Sequence, residues 1–188
     1  VERSRGLGDV YKRQVLYLNF TKIKLSKIVK AKKNLGNLVI SSCPGISNSR
    51  FDKFTYKKDL TIIIDLNISL VVSLIELNEI RNFEINQFHK DLEEKNVRAY
   101  SMPIKNYGIP AQIKKNEYSQ IIRDCVTQLE LNKNVYLHCY AGLGRSGMFA
   151  SLILKALGLD SKQCINHVRN CRPGTIETEE QEKFVINF

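Results

Sequence analysis

Four short apolar runs, each separated from the next by a longer segment, constrain the fold of this chain most strongly. The runs are LVIS, LVVSLI, VRAYSMPI and VYLHC, at 38–41, 70–75, 97–104 and 135–139. Each is predicted to be a strand: the unbroken apolarity of 70–75 is typical of a strand buried on both faces of a parallel sheet, and 97–104 is predicted to run into a loop. Strands that alternate with helices predict an α/β fold with a central, mainly parallel sheet flanked by helices.

The segments between these runs carry apolar residues at helical intervals. The segment 52–66 is ambiguous, because three consecutive isoleucines favour a strand whereas its length and its apolar spacing permit a helix. The remaining helices are predicted at 85–96, 116–131, 148–158, 161–170 and 177–187. In a parallel sheet the ligand lies beyond the carboxyl ends of the strands, so the loops after 75, 104 and 138 become candidate site loops.

The length of 188 residues suits one domain with a substantial core. Residues 1–14, VERSRGLGDVYKRQ, differ in composition from the rest of the chain, and we interpret them as a non-native or disordered segment before a single domain at 15–188. Six lysines at 22–33 predict a solvated basic face, with a docking patch for an acidic partner as the alternative.

The formal net charge of +10 favours acidic partners, without choosing among nucleic acid, phosphoprotein and membrane surface. The longest apolar region, 60–75, is interrupted by Asp65 and Asn67 and is too short for a membrane span. The five cysteines form no CxxC pair, and their odd number predicts reduced thiols in the cytoplasm and no structural zinc site.

The stretch HCYAGLGRSG at 138–147 carries the chemistry of the chain. It places Cys139 after a predicted strand and Arg145 near the start of a predicted helix, with three glycines in the connection. Inward-facing backbone amides and a helix N-terminus form an anion cradle, which favours the thiolate of Cys139 and binds a tetrahedral oxyanion. The planar guanidinium of Arg145 suits two phosphate oxygens. Ser146 can donate its hydroxyl to the sulfur, and His138 is expected to orient the loop.

Other interpretations of this stretch fail on particular residues. A nucleotide-binding loop of the GxxxxGK[ST] type requires a lysine where Arg145 stands, with a different glycine spacing. A papain-like protease requires a distant partner histidine, but His89 and His167 fall in predicted helices. A buried structural cysteine explains neither the glycines nor an arginine six residues later.

The residues His138-Cys139-x5-Arg145-Ser146 match the HCx5R[ST] signature of the cysteine-based protein tyrosine phosphatases. The stretch resembles their dual-specificity branch, and within it the cyclin-dependent kinase inhibitor 3 (kinase-associated phosphatase) group. The resemblance extends over about residues 35–188. Its further motifs are SCPG at 42–45, VVSLIELNE at 71–79, MPIKNYGIP at 102–110 and RPGTIETEEQEKFV at 172–185.

The resemblance implies a dual-specificity phosphatase-like fold, with 52–66 as a helix, and a phosphatase that needs no metal or cofactor. Cys139 would attack phosphorus to form a cysteinyl-phosphate, Arg145 would bind the phosphoryl group, and Ser146 would help the thiolate to leave in the second step. The loop residues that would bind substrate are Tyr140, Ala141, Gly142, Leu143, Gly144 and Arg145. Gln181 lies where many members carry a polar group over the site, and it is a candidate for positioning water.

The resemblance also indicates a missing acid, because the family usually carries an aspartate where this chain has Asn106. An amide cannot donate a proton to the leaving oxygen, and general acid catalysis typically contributes about 10²- to 10⁴-fold. Three interpretations remain open: a slow enzyme for aryl phosphates, an enzyme with a substitute acid such as Glu76, or a non-catalytic phosphoresidue-binding module.

The variable positions of the HCx5R stretch help to predict the substrate class. Tyr140, Ala141 and Leu143 are uncharged, whereas family members that act on phosphoinositides often carry lysines there, which favours a phosphoprotein substrate. Phosphoinositide phosphatase and RNA 5′-triphosphatase activity remain alternatives, with nucleic acid not favoured, and we expect a monomer. Four further cysteines are expected to be packing or surface residues, with a resolving thiol for oxidised Cys139 as the alternative: Cys43, Cys125, Cys164 and Cys171.

Overall fold

The computed structural model describes residues 20–25, 34–77 and 79–188. The expectation for residues 1–14 lies outside these ranges, and so does that for most of the lysine-rich segment 22–33. Among the described residues, no helix combines the length and the apolar character that a membrane crossing requires.

Within the described residues, seven strands form one five-stranded sheet and one small hairpin. They are β1 (Phe20–Lys24), β2 (Asn37–Ser41), β3 (Ile46–Ser47), β4 (Arg50–Phe51), β5 (Ile68–Ser73), β6 (Arg98–Ser101) and β7 (Asn134–His138). The order in the sheet is β1-β2-β7-β5-β6. β1 pairs with β2 in antiparallel fashion, and the other neighbours are parallel. The predicted mainly parallel sheet is therefore confirmed, and the antiparallel edge strand β1 is an addition to the prediction.

Six α-helices and a short 3₁₀ turn at Gln112–Lys114 connect the described strands and follow them. The helices are α1 (Lys53–Asp65), α2 (Ile85–Glu93), α3 (Lys115–Glu130), α4 (Gly144–Ala156), α5 (Ser161–Cys171) and α6 (Glu179–Asn187). The ambiguous segment 52–66 is thus a helix, and Asp52 caps it by accepting the Thr55 backbone N–H at 2.7 Å.

The sheet is covered on both faces. Side chains alternate along β2, so that Leu38 and Ile40 pack with the helices α3 to α6, whereas Val39 packs with α1 and α2 on the opposite face. The strand predicted at 70–75 ends two residues early, at Ser73. Leu74 and Ile75 are apolar because they are buried in the loop that follows β5, not because they continue the strand.

The register of the parallel strands places their carboxyl ends side by side. His138 at the end of β7 pairs with Ser41 of β2 on one side and with Ser73 of β5 on the other. Ser73 in turn pairs with Ser101 of β6. The loops after β5, β6 and β7 therefore begin at the same edge of the sheet, as the sequence predicted.

Asp59 of α1 supports the SCPG turn that follows β2. Its Oδ2 accepts the Gly45 backbone N–H at 2.8 Å, and its Oδ1 has no hydrogen-bond partner among the described residues. Burial raises the pKa of this carboxyl to about 6, and the hydrogen bond from Gly45, which lowers the pKa, offsets only part of that rise. Protonation of Asp59 therefore favours the folded state.

We expect Asp59→Asn to stabilise the protein by about 1–2 kcal/mol at pH 7.5 and to have little effect near pH 4. A carboxyl whose pKa is raised in the folded state binds a proton more readily there than in the unfolded chain. It therefore lowers the free energy of unfolding increasingly as the pH rises from about 4 through 6. Asp52→Asn is the matched control with the opposite sign, because its hydrogen bonds from Thr55 lower the pKa of Asp52. Urea unfolding of both variants at the two pH values tests this, and a pH-independent effect of Asp59→Asn would contradict it.

Candidate active site

Residues 139–145, hereafter the signature loop, connect β7 to α4 and surround the sulfur of Cys139. Gly142 has φ +71°, and a Cβ at this position would lie 2.3 Å from the carbonyl carbon of Ser41 in β2. Only glycine tolerates both conditions. The Gly142 backbone N–H donates to Sγ of Cys139 at 3.2 Å, so the sulfur lies where the loop offers a hydrogen-bond donor.

Arg172 holds the loop from the outer side. Its Nε donates to the Gly142 carbonyl at 2.7 Å and its Nη2 donates to the Ala141 carbonyl at 3.1 Å. These bonds fix two carbonyls of the loop away from the sulfur. The RPG motif that contains Arg172 is visible in the sequence, but this role was missed because nothing local relates the motif to a loop thirty residues earlier.

Arg145 at the start of α4 is 2% exposed and forms a two-pronged ion pair with Glu79. Nη1 and Nη2 each donate to one Glu79 carboxylate oxygen at 2.6 Å, and Nη1 also donates to the Ile104 carbonyl at 3.0 Å. Burial opposes the charge, but the Glu79 carboxylate outweighs it and raises the pKa of Arg145. The arginine is therefore charged and held in one orientation.

Asn106, at the position predicted for the general acid, lies against Arg145. Its Oδ1 accepts from Arg145 Nη2 at 3.2 Å and from the Tyr107 backbone N–H at 3.1 Å. Glu76 accepts the Asn106 backbone N–H at 3.3 Å. The structure thus brings Asn106 and Glu76, both singled out from the sequence, to the edge of the site. Glu79, three residues beyond Glu76, was missed because only the folded loop shows which of the two carboxylates faces the arginine.

Glu177 is a second carboxylate that sequence reasoning missed. Its Oε2 accepts the Gly144 backbone N–H at 2.8 Å, at the first residue of α4. A Cβ on Gly144 would lie 2.4 Å from that oxygen, so glycine is required for this contact. A negative charge is favourable at a helix N-terminus, and here it takes one amide of the signature loop.

Gln181 joins α6 to the loop that carries Asn106. The side chain is fully buried, with Nε2 donating to the Gly108 carbonyl at 3.1 Å and Oε1 accepting the Glu177 backbone N–H at 3.0 Å. The Thr178 hydroxyl donates to the Tyr107 carbonyl at 3.2 Å and strengthens the same connection. A role of Gln181 in positioning water stays a prediction; in this structure both ends of its amide bind the protein.

His138 precedes Cys139 and Ser146 follows Arg145 in the chain. The His138 ring is fully buried, its Nε2 lies 2.6 Å from the Ser73 hydroxyl, and burial lowers the pKa of His138 to about 3. A neutral, fixed ring is compatible with the orienting role predicted for it. The expected bond from Ser146 to the sulfur is not formed: its buried hydroxyl has no partner among the described residues, and the sulfur is bonded to the Gly142 N–H instead.

A known protein-family model matches most of the chain. The family model described as "PTP-SAK: Swiss Army Knife protein, DSP-PTPase phosphatase domain" matches residues 50–185, well over half of the sequence. This range contains the loop from Cys139 to Arg145, the Asn106 loop and the segment of Glu177.

Individual relatives match at lower coverage. The Dictyostelium discoideum "Probable protein tyrosine phosphatase type IVA A" is 21% identical over 121 residues, which are 60% of this chain and 72% of that protein. The rat cyclin-dependent kinase inhibitor 3 is 33% identical over 72 residues, which are 37% of this chain and 34% of that protein. The crystal structure of a kinase-associated phosphatase with serine in place of its catalytic-site cysteine superposes with a TM-score of 0.73 at 20% identity, covering 89% of this chain and 92% of that chain. At this identity the likeness shows the fold.

Proposed function

The chain belongs to the dual-specificity (DSP) protein tyrosine phosphatase domain family, and on that basis we propose that it hydrolyses phosphate monoesters of phosphoproteins through a cysteinyl-phosphate intermediate. The observation that carries the proposal is the folded signature loop, in which the Cys139 sulfur accepts a backbone N–H and Arg145 is held charged at the other end. This arrangement suits the binding of a tetrahedral dianion next to a thiolate.

In the first step the Cys139 thiolate attacks phosphorus, and the bond from phosphorus to the substrate oxygen breaks. The Arg145 guanidinium and the remaining backbone amides of the loop stabilise the negative charge on the phosphoryl oxygens. The Gly142 N–H is bonded to the Cys139 sulfur and the Gly144 N–H to Glu177. The leaving oxygen departs with the electron pair and takes a proton from an acid or from water. Neutral His138 takes no part in proton transfer and holds the start of the loop through Ser73.

Substrate binding requires that Arg145 exchange one of its hydrogen-bond acceptors for a phosphoryl oxygen. Glu79, Ile104 and Asn106 together accept four of its hydrogen bonds, three of them through bonds of 2.6–3.0 Å. The weakest by length is the 3.2 Å bond to Asn106, which is a neutral acceptor at the exposed edge. A phosphoryl oxygen replaces Asn106 here, whereas Glu79 keeps the guanidinium in place, because a charged acceptor forms the stronger bond.

In the second step water attacks phosphorus, the bond from sulfur to phosphorus breaks, and inorganic phosphate leaves with the thiolate restored. A donor to the sulfur assists this departure. The Gly142 N–H already occupies that position at 3.2 Å, and the unpartnered Ser146 hydroxyl is assigned to the same task by the family resemblance.

Mass spectrometry of the protein during incubation with an aryl phosphate tests the proposal. We expect a phosphate adduct on Cys139, trapped by acid quenching, together with release of phosphate. Tight binding of a phosphopeptide without adduct or turnover would instead assign the chain to the non-catalytic binding modules, an alternative that Asn106 at the acid position favours.

We expect Asn106→Asp to accelerate the hydrolysis of substrates with poor leaving groups, such as phosphotyrosine peptides, by about 10²-fold. The gain should be small for activated aryl phosphates, since their leaving groups need little protonation. The rate on phosphotyrosine should also fall at higher pH, as the new carboxyl loses its proton. Asn106→Ala is the control, because it removes the amide and its bond to Arg145 without supplying an acid.

Equal gains on both substrate types would mean that the substitution acts on binding or on the loop rather than on proton transfer. No gain would mean that another carboxyl already serves. The structure offers two at the loop edges, Glu76 at the Asn106 N–H and Glu177 at the Gly144 N–H. The kinetics of Glu76→Gln and Glu177→Gln on the same two substrates identify this acid. The variant that lacks it loses activity selectively on the substrate with the poor leaving group.

A further inference from the structure

A groove of about 600 Å³ adjoins the signature loop, and the two arginines that line it, Arg50 and Arg81, have no part in the proposed mechanism. The β3–β4 hairpin at 49–51 and the segment 79–82 after β5 line it, together with Tyr140. Tyr140 follows the nucleophile directly, and Glu79 holds Arg145. The groove therefore begins where the residue next to a bound phosphoresidue would lie.

A defined turn and a ring contact shape the two walls. The hairpin turns through Asn48 and Ser49 with φ of 48° and 61°, the left-handed pair that two-residue hairpin turns require. The ring of Phe51 lies 5.9 Å from the ring of Phe83, and this contact packs the hairpin against the segment after β5. Walls that are shaped in this way lower the entropic cost of binding a ligand.

The groove carries uncompensated positive charge. Arg50 and Arg81 line it, both are exposed, and neither forms an ion pair with a described residue. The single carboxylate of the lining, Glu79, is already neutralised by Arg145. Two free guanidinium groups thus lie beside a loop that itself binds an anion, which favours a ligand with a second negative group.

We propose that this groove binds an acidic side chain of the substrate peptide, a carboxylate or a second phosphate, next to the phosphoresidue held by the signature loop. The proposal deepens the proposed phosphoprotein phosphatase function and rests on it. Successive residues of an extended peptide lie about 3.3 Å apart, so a neighbour of the phosphoresidue reaches the groove. Two arginines match one or two anionic groups, whereas a polynucleotide carries a phosphate at every residue and needs a longer basic surface.

The test uses two phosphotyrosine peptides of equal length, in which the flanking residues are either aspartate or asparagine. We expect the wild-type kcat/KM to favour the aspartate peptide by about five- to tenfold at low salt, and this preference to shrink as salt is added. In Arg50→Gln, Arg81→Gln and the double variant, the ratio of the two kcat/KM values should fall stepwise towards one. Arg123→Gln, an exposed arginine of α3 outside the groove, should keep the wild-type ratio.

The outcomes separate this proposal from the one it rests on. Wild-type hydrolysis of para-nitrophenyl phosphate with a peptide ratio near one, or a ratio unaffected by both arginine substitutions, would overturn the groove assignment alone. Failure of the wild type to hydrolyse para-nitrophenyl phosphate would overturn the phosphatase itself. Preference for an inositol bisphosphate lipid or a 5′-phosphorylated RNA over the aspartate peptide, lost in the double variant, would overturn the assignment to a peptide.

Discussion

Cys139→Ser should abolish turnover of aryl phosphates, by more than about 10³-fold, and should leave the binding of inorganic phosphate within a few-fold of wild type. The hydroxyl of serine is a far weaker nucleophile than a thiolate, so the covalent route is lost. The amides of the signature loop and Arg145 keep their positions, because none of their described contacts runs through the sulfur except that of Gly142. Steady-state kinetics and calorimetric phosphate binding measure the two effects separately.

Cys171→Ser is the matched control for this experiment. Cys171 ends α5 and is partly exposed, and burial raises the pKa of its thiol. We expect wild-type turnover from this variant, and we expect iodoacetate to label Cys139 before Cys171 unless phosphate is added. Residual turnover of Cys139→Ser within tenfold of wild type would refute the covalent mechanism.

Arg145→Lys should lower kcat/KM by about 10²- to 10³-fold, within tenfold of the loss caused by Arg145→Ala. A loss of this size is typical when an enzyme loses one hydrogen-bond donor to the negative charge that develops in the transition state. A lysine keeps the charge but cannot hold both Glu79 oxygens and the Ile104 carbonyl while also donating to a phosphoryl oxygen. Arg98→Lys, at an arginine whose side chain is 59% exposed and pairs with Asp124, should leave the kinetics unchanged.

The alanine variant carries a second expected effect, because it leaves the Glu79 carboxylate, 14% exposed, without its partner. Breaking a buried ion pair in this way costs about 3–5 kcal/mol, so Arg145→Ala should also unfold at lower denaturant concentration. The lysine variant retains a cation and separates catalysis from folding. Near-normal kinetics of Arg145→Lys would show that charge alone matters at this position.

The local geometry of the signature loop could be predicted from the sequence because the signature encodes a backbone shape. A strand, a glycine at positive φ and a helix start within seven residues of one another, and these place Cys139 and Arg145 at the two ends of one loop. The edge at which Asn106 and Glu76 would meet this loop followed from the parallel order of the strands.

The remaining contacts could not be predicted, because they join residues far apart in the chain. The choice of Glu79 over Glu76 as the partner of Arg145 depends on how the loop after β5 turns. Arg172 and Glu177 reach the signature loop only because α5 packs beside α4. Ser146 is the opposite case, since its position in the signature suggested a bond to sulfur that the α4 geometry does not form.

The hydrogen bonds from Gln181 and Thr178 to the backbone at Gly108 and Tyr107 have a consequence for motion. These two bonds add about 1–3 kcal/mol to the cost of opening the loop, beyond the bonds that Asn106 and Ile104 make with Arg145. We therefore expect the opening of this loop, on the microsecond to millisecond timescale of loop motions, to depend on how firmly α6 stays packed.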